Sequence, residues 1–263
     1  MKESIVIIGI GELAAVFSRG FLRCGYPVYP ITRTMNMAEE SRQIPTPKLV
    51  LVTVQETELH SVLQKLPEAW SDKVALVQNE LLPRDWQKYR IEKPTVTVVW
   101  FEKKKTLELT NILQSPSFGP NAAVISEALQ AVGVPAPILK TEQELLYELV
   151  RKAVYILTVN IAGLVNNCTV GDLWSLHQTL AREIAREVIL IQESLTGQKL
   201  SYEKLINGVV EGIKDCPDRY CLGRSALSRL NRVLNYAEQA SLQVPKLTKI
   251  AALCQNKAVD TTT

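Results

Sequence analysis

The chain has 263 residues, of which 46% are hydrophobic and 22% charged. That balance is typical of a soluble protein with one large or two smaller domains, and it argues against a disordered chain. The 30 basic and 27 acidic residues leave a net charge of +3 without a long basic run, so we expect no nucleic-acid partner.

Apolar runs and cysteine usage predict a cytoplasmic protein with free thiols. No leader-type stretch precedes the first strand pattern, and no apolar run approaches the ~20 residues of a membrane span, so we expect no membrane partner. The five cysteines fit no zinc template, and we expect no metal site. Cys216 and Cys221, in "CPDRYC", could approach each other, but free thiols fit an intracellular protein better.

Five short β-branched runs in the first half predict the strands of a parallel sheet. Their residues are nearly all apolar, as in strands covered on both faces, and the spacers are long enough for crossover helices. The runs are "SIVIIG" (4–9), "VYPIT" (28–32), "LVLVTV" (49–54), "VALVQ" (74–78) and "VTVVWF" (96–101). An open, doubly wound sheet follows, with a short antiparallel addition in "KKKTLELTNILQSPSFGP" and a helix in "NAAVISEALQAVG".

The second half of the chain has helical periodicity instead. The stretches with this pattern are 142–166, 172–195, 201–214 and 223–241. The sequence therefore predicts an α/β protein with an N-terminal Rossmann-type domain (1–140) and an all-helical C-terminal domain (141–263), divided after the proline-bearing "GVPAPIL". Apolar helical faces in the second domain make a homodimer possible.

The stretch "IIGIGELAAVF" (7–17) resembles a nucleotide-binding turn. Gly9 and Gly11 would let the backbone turn sharply and approach a pyrophosphate at a helix N-terminus, with Ala14 at the third position of the fingerprint. A strand that simply runs into a helix is the alternative. Glu12 would repel a pyrophosphate if it pointed inward, so we expect it to face solvent. The predicted cofactor-binding stretch is Gly9, Ile10, Gly11, Glu12, Leu13 and Ala14.

The residues after the second strand favour NADP over NAD. NAD sites usually place an acidic residue there for the ribose hydroxyls, whereas this chain has "ITRTMN" with Thr32 and Arg33. A guanidinium at this point would form charge-assisted hydrogen bonds with a 2'-phosphate. The alternative is an exposed arginine on a loop.

Several motifs together resemble the ketopantoate reductase (2-dehydropantoate 2-reductase) family over nearly the full length. They are the glycine turn, "ITR", "LVLVTV", "VALVQN", "SPSFGP", "RKAVYILTVNIAGLVNNCTVGDL" and "YAEQASLQVPKLTKI". The resemblance implies an NADP-dependent reductase of pantothenate biosynthesis. It matches Lys152, Asn160, Gly171 and Asp172 to family positions in the helical domain, and Asn79 to an asparagine beside the nicotinamide and substrate.

The chemistry of a 2-keto acid suits these residues. As the carbonyl carbon accepts hydride, charge builds on its oxygen, and a cation must then supply a proton. Lys152 is the candidate acid, because a lysine desolvated in an interdomain cleft has a lowered pKa. Asn160 and Asn79 would orient substrate. The alternatives are a surface cation for Lys152, a polar tie between helices for Asn160, and a turn or cap for Asn79.

The sequence also departs from the family pattern. Ile156 replaces an asparagine one turn after the lysine, and Glu80 replaces the glycine that follows the strand-four asparagine. Gln55 stands where many members aim a lysine at the cofactor phosphates, and Ser225 falls where the catalytic glutamate is expected. The lost hydrogen bonds are worth about 1 to 3 kcal/mol each when buried, so the resemblance implies a divergent member.

Three functions follow from this pattern. The first is an NADP-dependent oxidoreductase that reduces 2-dehydropantoate or a related carbonyl compound. The second is a catalytically impaired member that binds NADP(H) or another ligand as a sensor or partner-binding protein. The third is a related dehydrogenase acting on an imine or an amino-acid-derived carbonyl, since Glu80 would disfavour a carboxylate.

Overall fold

The chain folds into two compact units. The computed structural model describes residues 2–89, 91–103 and 108–260. Unit 1 is Met1–Leu149 and unit 2 is Val150–Thr263. The sequence-based boundary near residue 140 lies just before a long helix, Glu142–Gly163, whereas the division between the units falls inside that helix.

Unit 1 is built on a six-stranded sheet with helices, which confirms the predicted Rossmann-type fold. The sheet strands are β1 (Ile5–Ile8), β2 (Val28–Ile31), β3 (Leu49–Val52), β4 (Val74–Leu76), β5 (Thr95–Thr97) and β8 (Ser117–Phe118). Between β5 and β8, β6 (Phe101–Glu102) and β7 (Thr110–Asn111) pair with each other as a separate two-stranded sheet. The order in the six-stranded sheet is β2-β1-β3-β4-β5-β8, with β8 antiparallel to β5 and the rest parallel. Residues 104–107 of the predicted antiparallel addition lie outside the described residues.

Helices of unit 1 follow the strands as crossovers. They are α1 (Glu12–Arg23), α2 (Met37–Gln43), α3 (Glu56–Gln64), a short 3-10 helix (Glu68–Lys73), α4 (Pro83–Gln87) and α5 (Ala122–Ala131). Helix α1 buries Phe17 and Phe21 in the core. A Cβ on Gly20 would overlap the carbonyl oxygen of Ala128, so α1 and α5 pack with their backbones close together.

The strand register brings three chain turns to one edge of the sheet. Ile8 of β1 pairs with Val52 of β3, and Val52 pairs with Leu76 of β4. Because these strands are parallel, their carboxyl ends align, and this is the edge where open α/β sheets bind ligands.

Unit 2 is built from helices, as predicted. They are α6 (Glu142–Gly163), which begins in unit 1, α7 (Val170–Leu176), α8 (Gln178–Thr196), α9 (Tyr202–Lys214), α10 (Ala226–Gln239) and α11 (Pro245–Asp260). The stretch 172–195, which reads as one helix in the sequence, is two helices that meet at His177, where the backbone is not helical. Among the described residues, no helix has the length and apolar character that crossing a membrane requires.

Candidate functional site

The turn after β1 requires a glycine at its first position. Gly9 has a positive φ of 93°, and a Cβ there would lie 2.8 Å from Cγ1 of Val54. The Thr53 hydroxyl donates a hydrogen bond to the Gly9 carbonyl oxygen at 2.7 Å, and its N–H donates to the Ile8 carbonyl at 2.9 Å. The turn is therefore fixed against the end of β3.

The beginning of α1 is open. Gly11 caps this helix without a side chain, and a Cβ on it would meet nothing within 4 Å. Ile10 is 65% exposed and Ala14 is buried in the core, whereas Glu12 and Leu13 are half-buried. Exposed N–H groups at a helix N-terminus suit a phosphate, so the residues present fit the pyrophosphate of a dinucleotide. The negative charge of Glu12 lies in the first turn and would repel a pyrophosphate if the side chain turned toward it.

A buried glutamine ties the ends of β3 and β4 together. Gln78 donates from Nε2 to the carbonyl oxygens of Val52 at 2.8 Å and Val54 at 3.2 Å. The next residue, Asn79, donates from Nδ2 to Oε1 of Glu56 at 3.0 Å. Sequence reasoning gave Gln78 no role, although its polar side chain at the end of the apolar run "VALVQ" was a signal. The carboxyl edge of the sheet thus holds Asn79 beside the N-terminus of α3.

Two neighbours complete this edge. Gln55 is the exposed N-cap residue of α3. Glu80 has a φ of +60°, in the left-handed region that favours glycine. The left-handed backbone at Glu80 therefore explains why the family pattern has a glycine at this position.

Arg33 is exposed but has an anionic partner. Its side chain is 85% exposed, and Nη2 lies 2.9 Å from Oε1 of Glu58 on α3. Thr32 shares a hydrogen bond with Thr34 at 3.0 Å between their hydroxyl oxygens. A 2'-phosphate at Arg33 would therefore also meet the charge of Glu58, which weakens the electrostatic case for NADP.

Lys152 is buried on α6, which rules out the surface-cation alternative. It is 7% exposed, and Nζ lies 5.9 Å from the centroid of the Tyr155 ring. Its neighbour Arg151 instead forms an ion pair with Glu211 at 2.6 Å. The Tyr155 hydroxyl accepts a hydrogen bond from Nη1 of Arg219 at 2.9 Å.

Asn160 has partners on two other segments of unit 2. Its Nδ2 donates to the Cys221 carbonyl oxygen at 3.0 Å, and its Oδ1 accepts from Nη1 of Arg229 at 2.6 Å. Arg229 is 7% exposed and was missed, although it falls on the apolar face of α10 beside buried Leu230 and Val233. Asn160 therefore connects α6 to α10, which is the polar tie between helices that the sequence analysis gave as the alternative role of this residue.

Other family-matched positions in unit 2 have local structural roles. Asp172 forms a capping box with Thr169 at the start of α7. Gly171 lies against Pro217, whose carbonyl accepts its N–H at 2.9 Å. Ser225 is the exposed N-cap residue of α10 without a side-chain cap bond.

The positions of the cysteines and of the potential metal-ligating side chains bear on two expectations from the sequence. None of the five cysteines, which all lie among the described residues, forms a disulfide. The sulfur beside Cys221 belongs to Cys168, at 3.9 Å, and not to Cys216, which the sequence analysis considered as the alternative to free thiols. Within 2–89, 91–103 and 108–260, no group of three or more His, Cys, Asp or Glu side chains could hold a metal ion.

The parallel sheet, the glycine turn after β1 and the helical second unit define a two-unit protein with a Rossmann-type first unit. Comparison with solved structures identifies the fold further as that of ketopantoate reductases, which confirms the predicted resemblance at the level of fold. No family model matches the sequence, and no curated protein matches it either.

Three solved structures illustrate the likeness. A 2-dehydropantoate 2-reductase from Methylococcus capsulatus is 11% identical with a TM-score of 0.69, over 99% of this chain and 98% of that one. A dimeric ketopantoate reductase from Staphylococcus aureus is 14% identical with a TM-score of 0.67, over 96% and 98%. A D-mandelate dehydrogenase in complex with NADH and anilino(oxo)acetate is 14% identical with a TM-score of 0.67, over 99% and 100%.

Proposed function

We propose that this protein is an NADP-dependent oxidoreductase that reduces a 2-keto acid, 2-dehydropantoate or a related compound. The observation that carries the proposal is the burial of Lys152, because lysines are seldom buried and a buried titratable group is a candidate for catalysis. The shared fold of known 2-keto acid reductases and the open turn at Gly9 and Gly11 support the same conclusion.

Residues at the carboxyl edge of the sheet would hold the cofactor. Gly11 gives a pyrophosphate room to approach the first turn of α1, Arg33 offers a guanidinium to a 2'-phosphate, and Gln55 and Asn79 lie at the ends of β3 and β4. When bound, the nicotinamide supplies a hydride.

Residues of unit 2 would act on the substrate oxygen. Lys152 donates a proton to the alkoxide oxygen that hydride addition creates, and its desolvated charge stabilises that oxygen as it becomes negative. Asn160 orients substrate with its amide, which carries two N–H groups, one of them bound to the Cys221 carbonyl.

A non-catalytic binding protein is the second candidate function. It is favoured by Ile156, which lies half-buried on α6 one turn after Lys152 and has no hydrogen-bonding group. Such a protein would bind NADP(H) or another ligand as a sensor without turning it over.

A homodimer formed through unit 2 is part of the proposal. Leu176, Tyr220 and Leu227 are large side chains of this unit that are 73%, 69% and 49% exposed, and such side chains favour burial in an interface. Light scattering at micromolar concentration tests it. The cytoplasmic location and the place in pantothenate biosynthesis stay predictions from the sequence.

The test combines binding and turnover. Fluorescence titration with NADPH and NADH measures cofactor affinity, and a panel of 2-keto acids including 2-dehydropantoate is then assayed for NADPH oxidation. We expect tighter binding of NADPH and turnover of at least one acid. In Lys152→Met, which keeps the apolar stem, turnover should fall at least a hundredfold while NADPH affinity stays within about twofold.

Arg151→Met is the matched control for this variant, because Arg151 is the adjacent cation and is paired with Glu211. Its turnover should remain near that of the parent protein. Cofactor binding without turnover of any acid would support the sensor function, and full turnover by Lys152→Met would overturn the proposed proton donor.

A further inference from the structure

A pair of cysteines lies at the junction of two segments of unit 2. Cys168 follows α6, and Cys221 lies between α9 and α10. Their segments run antiparallel where they meet, and Thr169 pairs with Tyr220 in a single bridge. The N–H of Cys221 donates to the Cys168 carbonyl at 3.0 Å, and the two sulfur atoms are 3.9 Å apart.

This geometry suits a disulfide. Residues that face each other across an antiparallel pair of segments have Cα atoms about 5.5 Å apart, near the commonest separation for disulfides. The sulfur atoms are 3.9 Å apart, so a disulfide would bring together two atoms that already face each other. We propose that Cys168 and Cys221 are an oxidation-sensitive pair of thiols. By exchange with a small-molecule disulfide, the two cysteines form a reversible disulfide with each other.

The surroundings of the two thiols assign their roles. Cys168 is half-buried and so is reachable by a small oxidant, whereas Cys221 is fully buried. Burial, together with the adjacent Cys168, raises the pKa of Cys221 to about 12. Because the thiolate is the nucleophile, Cys168 reacts first and Cys221 is the resolving thiol.

The exchange balances in two steps. The Cys168 thiolate attacks one sulfur of the small disulfide, whose S–S bond breaks, and the other half leaves as a thiolate. Cys221 then attacks the sulfur of Cys168 as its proton passes to the second half of the small disulfide, which leaves as a thiol. The cysteines lose two electrons and two protons overall, and the small disulfide becomes two thiols.

The disulfide would restrain the segment around Cys221, whose carbonyl oxygen accepts the hydrogen bond from Asn160 at 3.0 Å. A Cβ on Gly163 would lie 2.7 Å from the Cys221 carbonyl carbon. The bond would join residues 53 positions apart in sequence, closing a loop that contains α7, α8 and α9. Closing so long a loop restricts the unfolded chain and stabilises the fold.

Peptide mapping of the full-length protein tests the proposal directly. The protein is reduced, freed of reductant and incubated with glutathione disulfide, then digested without reduction and measured by mass spectrometry. We expect a cross-linked peptide pair containing Cys168 and Cys221, lighter by two hydrogen atoms than the separate peptides, which dithiothreitol separates. A lasting glutathione adduct on Cys168, a link between Cys216 and Cys221, or no reaction would each overturn the proposal.

Thermal unfolding provides a second measurement. The oxidised parent protein should melt about 5 °C or more above its reduced form. Cys168→Ser, which changes a half-buried side chain, should lose this difference, whereas Cys216→Ser on the same segment should keep it. An unchanged melting temperature after confirmed cross-linking would contradict the proposal that the disulfide restrains the segment around Cys221 and stabilises the fold.

Discussion

Arg229 donates a hydrogen bond to Oδ1 of Asn160 at 2.6 Å, and both side chains are buried. Since Gly223 is so close that a Cβ on it would lie 2.7 Å from the same Oδ1, little room remains around this oxygen. The pair connects α6 to α10 and fixes the direction of the amide that we propose for substrate orientation.

Arg229→Met should therefore destabilise the protein. It keeps much of the apolar stem but leaves the buried Asn160 oxygen without this donor, which costs about 1–3 kcal/mol in the free energy of unfolding. Urea unfolding at fixed pH measures the change. Arg224→Met, at an exposed position shortly before α10, is the control and should have less than about half this effect. Equal losses in the two variants would show that the hydrogen bond contributes little.

The left-handed backbone at Glu80 leads to a second prediction. A side chain there costs about 1–2 kcal/mol, most of all when it is β-branched, whereas glycine avoids this cost but adds about 0.5–1 kcal/mol of backbone entropy. Glu80→Gly should be neutral or stabilising by up to about 1 kcal/mol, and Glu80→Val should be destabilising by about 1–2 kcal/mol. Glu80→Asn, which tolerates this conformation, separates loss of charge from strain.

Thermal or urea unfolding of the three Glu80 variants makes the comparison. A valine variant as stable as the glycine variant would mean that the turn relaxes out of the left-handed region. In that case, the preference for glycine at this position would need a cause other than backbone conformation.

The glycines of the nucleotide turn should respond differently to alanine. Gly9→Ala combines a positive φ with a Cβ 2.8 Å from Val54, so we expect a loss of about 1–3 kcal/mol in the free energy of unfolding. Gly25→Ala, at a φ of +77° with nothing within 4 Å of its Cβ, isolates the strain and should cost about 1 kcal/mol. A cost at Gly9 no larger than at Gly25 would argue against a tight contact with Val54.

Gly11→Ala should keep the fold and lose cofactor binding. Its Cβ meets nothing within 4 Å, so the free energy of unfolding should change by about 1 kcal/mol or less. The added methyl group occupies the space through which a pyrophosphate would approach, and NADPH affinity should fall about tenfold or more. Unchanged affinity, measured by fluorescence titration, would place the cofactor away from this turn.

The sequence predicted the sheet and the tight glycine turn after β1 because both depend on local signals. Apolar runs mark buried parallel strands, and Gly9 has a backbone conformation that glycine favours. Burial of Lys152 could also be anticipated from the apolar residues around it on α6.

Contacts between distant segments could not be predicted in the same way. Asn160 and Arg229 are 69 positions apart, and Cys168 and Cys221 are 53 apart. Which side chains meet at such separations depends on how whole helices pack, and a single sequence carries no local signal for it. The alternative that the sequence offered was Cys216, the cysteine nearest to Cys221 along the chain.

The proposed preference for NADP depends on charge at the end of β2. Because Glu58 lies 2.9 Å from the Arg33 guanidinium, it would compete with a 2'-phosphate for the same group and would repel it. Glu58→Gln should raise NADPH affinity by roughly three- to tenfold, and Arg33→Ala should lower it by a similar factor. NADH affinity should change by less than about twofold in both variants, since NADH has no 2'-phosphate.

Increasing ionic strength should reduce the effect of each substitution on NADPH affinity. Titrations of the two variants with both nucleotides at low and high salt provide the check, and a parallel change in NADH affinity would show that Arg33 does not contact the 2'-phosphate.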